Sequence, residues 1–109
     1  MQSWDLSAID TPGGSRSPVV LHSDEHTRAV LIGLEPGQEL GEHEVKEHVF
    51  VVVVDGTAQV ESQGITVDAE AGTLLSFEPE ERRVVSSTGG ARLLLVFAPW
   101  PGEGHYRDG

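Results

Sequence analysis

No cysteine occurs among the 109 residues, which removes disulfides, thiolate ligands and thiol nucleophiles from consideration. Basic residues are scarce as well. Seven lysines and arginines stand against 18 aspartates and glutamates, a formal net charge of −11 with the histidines neutral. A surface that negative repels phosphate backbones and anionic headgroups, so no nucleic acid and no membrane partner is expected. No apolar run approaches the roughly 18 residues of a membrane-crossing helix. The opening MQSWDLSAID has no basic stretch followed by an apolar core, so no signal peptide is expected and the expected location is cytoplasmic.

What the chain does have is punctuation. Thirteen glycines and six prolines break it into short apolar runs about every 8–12 residues, the rhythm of an all-β sandwich or barrel. Strands are expected near residues 19–22, 28–34, 48–54, 57–61, 65–68, 73–77, 83–86 and 92–98. Pro36-Gly37 suits a type II turn, with a φ-restricted residue before one that tolerates positive φ. Asp55-Gly56 suits a two-residue hairpin, and Gly64 and Gly89-Gly90 mark further reversals. Residues 39–50 place Leu40, Val45 and Val49 at nearly helical spacing. The run of β-branched residues that follows favours strand over helix there. The domain plan is an N-terminal arm over 1–17, a barrel over 18–100 and a tail over 101–109. In the arm, Trp4 is expected to pack, with one helical turn capped by Ser3. Trp100, between two prolines, reads as an anchor for the tail, and His105-Tyr106 as a segment that closes over the barrel or stays flexible.

Along residues 49–54 both strand faces are apolar: Val49, Val51 and Val53 on one, Phe50, Val52 and Val54 on the other. A small barrel buries only one of these inside. The second must meet another sheet, the arm or another subunit, and a homodimer through that outer face is the preferred expectation.

The chemistry concentrates just before this strand, in Glu42, His43, Glu44, Glu47 and His48. Imidazole and carboxylate together can hold zinc, iron, manganese or nickel. Other motifs carry little. Ser86-Ser87-Thr88 has no histidine and acid at a meaningful spacing for a triad. The glycines at 33, 37 and 41 precede no helix that could bind phosphate.

From Gly37 onward the residues resemble the cupin superfamily. Gly37 is followed by five residues and then His43, and Gly56 falls at the closing glycine of the first cupin motif. Gly72, Pro79 and the strand between them fit the second. The resemblance covers about two-thirds of the chain and implies a double-stranded β-helix (jelly-roll) barrel, commonly dimeric. It also implies three histidines and a glutamate around a divalent metal, and here the match fails. His43 stands at the first histidine, but the other three positions fall on Val45, Val49 and Arg83. A guanidinium cannot ligate a metal and repels one.

Two classes of function follow. The preferred one is a metal-free binding or accessory module with no cofactor. Its pocket is lined by Val45, Val49, Val51 and Leu75, with His43 and Arg83 holding a small, anionic molecule. The alternative is a metal-dependent oxygenase or isomerase using His43, Glu47 and His48, with Glu47 facing inward by parity and His48 reset by a bulge. A third reading is a dimerising scaffold with a filled barrel, in which Arg83 bridges to Glu47. A further reading has Arg82 and Arg83 as a solvated pair at a strand start, with only one facing inward.

Overall fold

The structure is a computed structural model that describes residues 1–12, 17–43 and 45–101, the side chains of 41–43 excepted. Glu44 and the His105-Tyr106 tail lie outside the described residues. Eight strands form: β1 (Val19–Ser23), β2 (Arg28–Leu34), β3 (Glu39–His43), β4 (His48–Ser62), β5 (Ile65–Glu70), β6 (Leu74–Phe77), β7 (Arg83–Ser86) and β8 (Ala91–Ala98). All pairings are antiparallel. The first half of β4 joins β8 and β6 in one sheet that continues through β2 to β1, and its second half joins β5 and β7 in another that ends at β3. A strand shared by two sheets is what curls them face to face into a barrel.

Asp55-Gly56 is the device that makes β4 serve both sheets. The sequence reading placed a hairpin there; instead the chain runs straight on, and the pairing with β8 slips between Val53 and Asp55. Gly56 spends its positive φ of 77° on that bulge. A side chain there would overlap the Gly90 carbonyl, so only glycine fits. The extra residue switches the inward parity. Val49, Val51 and Val53 face the interior before it, Ala58 and Val60 after it, none more than 4% exposed. Each buried valine contributes roughly 1.5–3 kcal/mol.

Other turns match expectation. Gly37 has φ 84° and Gln38 N–H donates to Glu35 O, a type II turn with Pro36 at its second position. Gln63 and Gly64 both take positive φ, 52° and 77°, the type I′ geometry that joins β4 to β5. Strand β3, absent from the sequence reading, forms in the stretch of near-helical spacing because it can pair with β7.

The arm carries a 3-10 helix at Leu6–Ala8 capped by Asp5, not Ser3. Trp4 is 42% exposed, so it does not pack as expected; the arm is held by Arg92 instead. Thr11 sits against Gly33, and the helix lies beside β4, which covers one end of the outer face. Trp100 packs onto the barrel: its ring meets Phe97, the Arg28 guanidinium lies 4.8 Å over it, and its backbone N–H donates to the His26 carbonyl, while residues 102–109 of the tail lie outside the described residues. Among the described residues no helix is long and apolar enough to cross a membrane.

Candidate functional site

The end of the barrel where β3 stops, β4 begins and β6 passes to β7 gathers the polar groups. His43 pairs with Arg83 across β3 and β7. Glu61 pairs with Val84, which sets Ser62 beside Arg83 one step further along. Alternation along β7 then separates the two arginines: Arg82 is exposed, whereas Arg83 is only 3% exposed. Only one of the two thus faces inward, as expected of a pair at the strand start, and that one, Arg83, is not solvated.

Arg83 reaches across the interior, its guanidinium carbon 4.9 Å from the centre of the Phe77 ring on the facing sheet. A cation over an aromatic face gains about 0.5–2 kcal/mol. Its Nη1 is buried and has no hydrogen-bond partner among the described residues. Burial lowers its pKa and the nearby Glu81 carboxylate pulls it back up. It remains a cation at neutral pH.

The turn over residues 78–82 is pinned onto this end. Lys46 Nζ lies 2.6 Å from Glu80 Oε1, and Glu80 N–H donates to Val45 O at 2.7 Å. Glu81 accepts from Ser62 Oγ at 2.6 Å and from the Glu78 N–H at 3.1 Å. These hydrogen bonds hold the Glu81 carboxyl below its ordinary pKa, and Lys46 does the same for Glu80.

The structure sorts the expected site residues into three groups. Glu47 is fully buried, as inward parity requires, and Arg83 lies inside with it. Val49 and Val51 are also inside, at 0% and 1% exposure, with Val45 and Leu75 packed against the same cluster. Val49 and Val51 are thus core residues, and Val45 and Leu75 are partly buried beside them. His48 goes the other way. It shares the outer parity with Phe50, stacks on that ring at 4.7 Å, and bonds Ser76 Oγ at 2.7 Å. No bulge resets it, so it does not join Glu47. The side chain of His43 lies outside the described residues.

Three of the four positions the cupin pattern reserves for ligands carry a half-buried valine, a valine sealed in the core and a buried guanidinium. The alternative set loses His48 to the outer face, and among the described residues no three His, Asp or Glu side chains converge. Neither valine nor a guanidinium can ligate a divalent ion; the side chains of Glu42, His43 and Glu44 lie outside the described residues.

The opening beside Arg83 is a cavity of about 530 Å³ between the β4–β5 hairpin and the start of β7, lined by Ser62, Gln63, Gly64, Glu81 and Arg83 among others. Of the expected pocket residues whose side chains are described, it shares only Arg83. Phe77 and Ser62 were missed. Phe77 was legible as sharing parity with Leu75, but Ser62 lies beyond a bulge that conceals its face.

No protein-family model matches this chain, and no curated protein matches it. Solved structures do. It is similar to an RmlC-like cupin from Desulfovibrio desulfuricans, with 21% identity and a TM-score of 0.77 over 91% of this chain and 97% of that one. An uncharacterised double-stranded β-helix protein from Klebsiella pneumoniae gives 19% identity and 0.77 over 94% and 93%. An RmlC-like cupin from Shewanella frigidimarina gives 21% and 0.76 over 89% and 88%. With a strand shared between two facing sheets and these neighbours, the chain has the cupin fold, the double-stranded β-helix of RmlC-like proteins.

Proposed function

We propose that this protein is a metal-free binding module that holds a small anionic molecule at the barrel mouth, with Arg83 as its anchor. The observation that carries the reading is the buried Arg83 Nη1 with no hydrogen-bond partner among the described residues. A buried donor left unmade costs about 1–3 kcal/mol, and a carboxylate or similar oxyanion would recover it with a charge-assisted bond. The guanidinium stands where the cupin pattern puts a metal ligand, so an anion takes the role that a cation has elsewhere in the fold.

The test is a titration of tag-free protein with sodium acetate and sodium hexanoate, following the Arg83 side-chain resonance by nitrogen NMR. An anion-dependent shift that Arg83→Met abolishes is expected. No shift with either anion would sink the reading, as would near-stoichiometric zinc, iron, manganese or nickel by elemental analysis.

The proposal includes a homodimer through the outer face of β4. Phe50 and Leu74 remain exposed there at 39% and 61%, beside half-buried Val52. Exposed apolar side chains in one patch are what a subunit contact would bury. Phe50→Lys should convert a dimer to a monomer in sedimentation velocity; an unchanged sedimentation coefficient would refute that interface.

A further inference from the structure

The exposure pattern along β5 is anomalous for its parity. Val67 pairs with Val60 and Ala69 with Ala58, and paired residues share a face. Val60, Ala58 and Ala69 are all barrel-facing core residues, 0–4% exposed, yet Val67 is 41% exposed and Ile65, two residues earlier, is 66% exposed. Two large aliphatic side chains thus lie on the inward register of an edge strand, at the mouth, without being covered. Ile65 pairs with Ser62, and Ser62 neighbours Arg83, so three adjacent strands at about 4.8 Å spacing place Ile65 and Arg83 on one row roughly 10 Å apart. The cavity beside Arg83 runs along Ser62 and Gln63 to Gly64, the residue just before Ile65.

Charge narrows what could lie there. Glu61, Glu80 and Glu81 line the cavity against the exposed Arg82 and the buried Arg83, one acid in excess, and the chain carries −11 overall. One buried guanidinium against that field can hold a single negative charge. A phosphate or dicarboxylate would place its second charge among the rim carboxylates, where like charges repel. A singly charged ligand then needs its remaining affinity from apolar contact, and the uncovered Ile65 and Val67 supply it.

Resting on Arg83 as the anion anchor, the geometry points to a substrate class: a monocarboxylate with an apolar body, its head on Arg83 and its chain along Ile65 and Val67. The carboxylate satisfies Nη1, and the body covers the two aliphatic side chains at the open edge of the barrel.

A chain-length series tests this, using acetate, butyrate, hexanoate, adipate and hexan-1-ol as probes in calorimetry and in the Arg83 NMR titration. Each methylene buried is worth about 0.8 kcal/mol at best, close to fourfold in affinity. Hexanoate should therefore bind at least about tenfold tighter than acetate even with partial burial. Adipate should lose that gain, and hexan-1-ol should leave the Arg83 resonance unmoved. The double variant Ile65→Thr, Val67→Thr keeps β-branched residues in the strand. It should abolish the hexanoate advantage while leaving the acetate shift intact. Equal binding of acetate and hexanoate, with the Arg83 shift present, would overturn the apolar class and leave the anion anchor standing. Adipate binding as tightly as hexanoate would overturn the single-charge requirement. A missing shift with every probe would instead remove the anchor itself.

Discussion

Two arginines sit in the barrel wall and their donors are used in opposite ways. Arg92, on β8, gives Nη1 to Leu6 O at 3.3 Å and Ile9 O at 2.8 Å, and Nη2 to Ser7 O at 3.0 Å, with Asp55 3.6 Å away. It fastens the N-terminal arm to the outer face by bonding three carbonyls of one short segment. Arg83, on β7, is the more deeply buried of the two, yet its Nη1 has no hydrogen-bond partner among the described residues and its flat face rests on Phe77. The same side chain is a staple where the backbone supplies acceptors, and a candidate anchor where it does not. Donor use, more than burial, separates the two roles.

The sharpest way to break this contrast is to remove both cations in turn. Arg92→Ala should lower unfolding stability by about 2–3 kcal/mol, since three net hydrogen bonds are lost at about 1 kcal/mol each. Proteolysis should then cut the arm before the barrel. Arg83→Met should leave stability within about 1 kcal/mol, because methionine can pack on Phe77 and no bonded acceptor is stranded. Urea melts of both variants decide it; a drop of about 3 kcal/mol or more for Arg83→Met would mark a buried ionic role and erase the distinction.

A smaller effect concerns the turn that borders Arg83. Ser62 and the Glu78 N–H depress the Glu81 pKa, so its bonded carboxylate adds stability above its unfolded pKa near 4.3. That contribution is lost as pH falls through the lower folded value. Glu81→Gln should cost roughly half a kcal/mol at neutral pH, given the solvent screening of an exposed group. The gap from the parent should close in acid, measured as the difference in melting temperature at each pH. A gap that persists in acid would mean that packing, not charge, holds the turn.

Much of this could be read from residues alone. Glycine and proline spacing marked seven of the eight strand regions, and the Pro36-Gly37 turn took its expected form. The inward parity of Glu47 and the displacement of cupin ligands by Val45, Val49 and Arg83 followed from counting. Strand β3 was hidden because Leu40, Val45 and Val49 mimic helical spacing, and the pairing with β7 that overrides it is remote in sequence. Asp55-Gly56 looked like a hairpin because a bulge and a hairpin ask the same freedom of glycine. His48 was assigned to the metal set only on the supposition of a bulge, and the bulge lies further along β4.

The sequence by itself determined a cysteine-free, strongly acidic, all-β chain whose second-motif ligand position carries a guanidinium, because composition, turn chemistry and alternation are local properties. Only the tertiary structure decided that Arg83 meets Phe77 and that its Nη1 has no hydrogen-bond partner among the described residues. It also decided that Val49 and Val51 seal the core, and that Ile65 and Val67 lie uncovered at the mouth. Register across strands and the closing of one sheet on another are set by residues far apart in the chain, and no local pattern encodes which side chains they bring together.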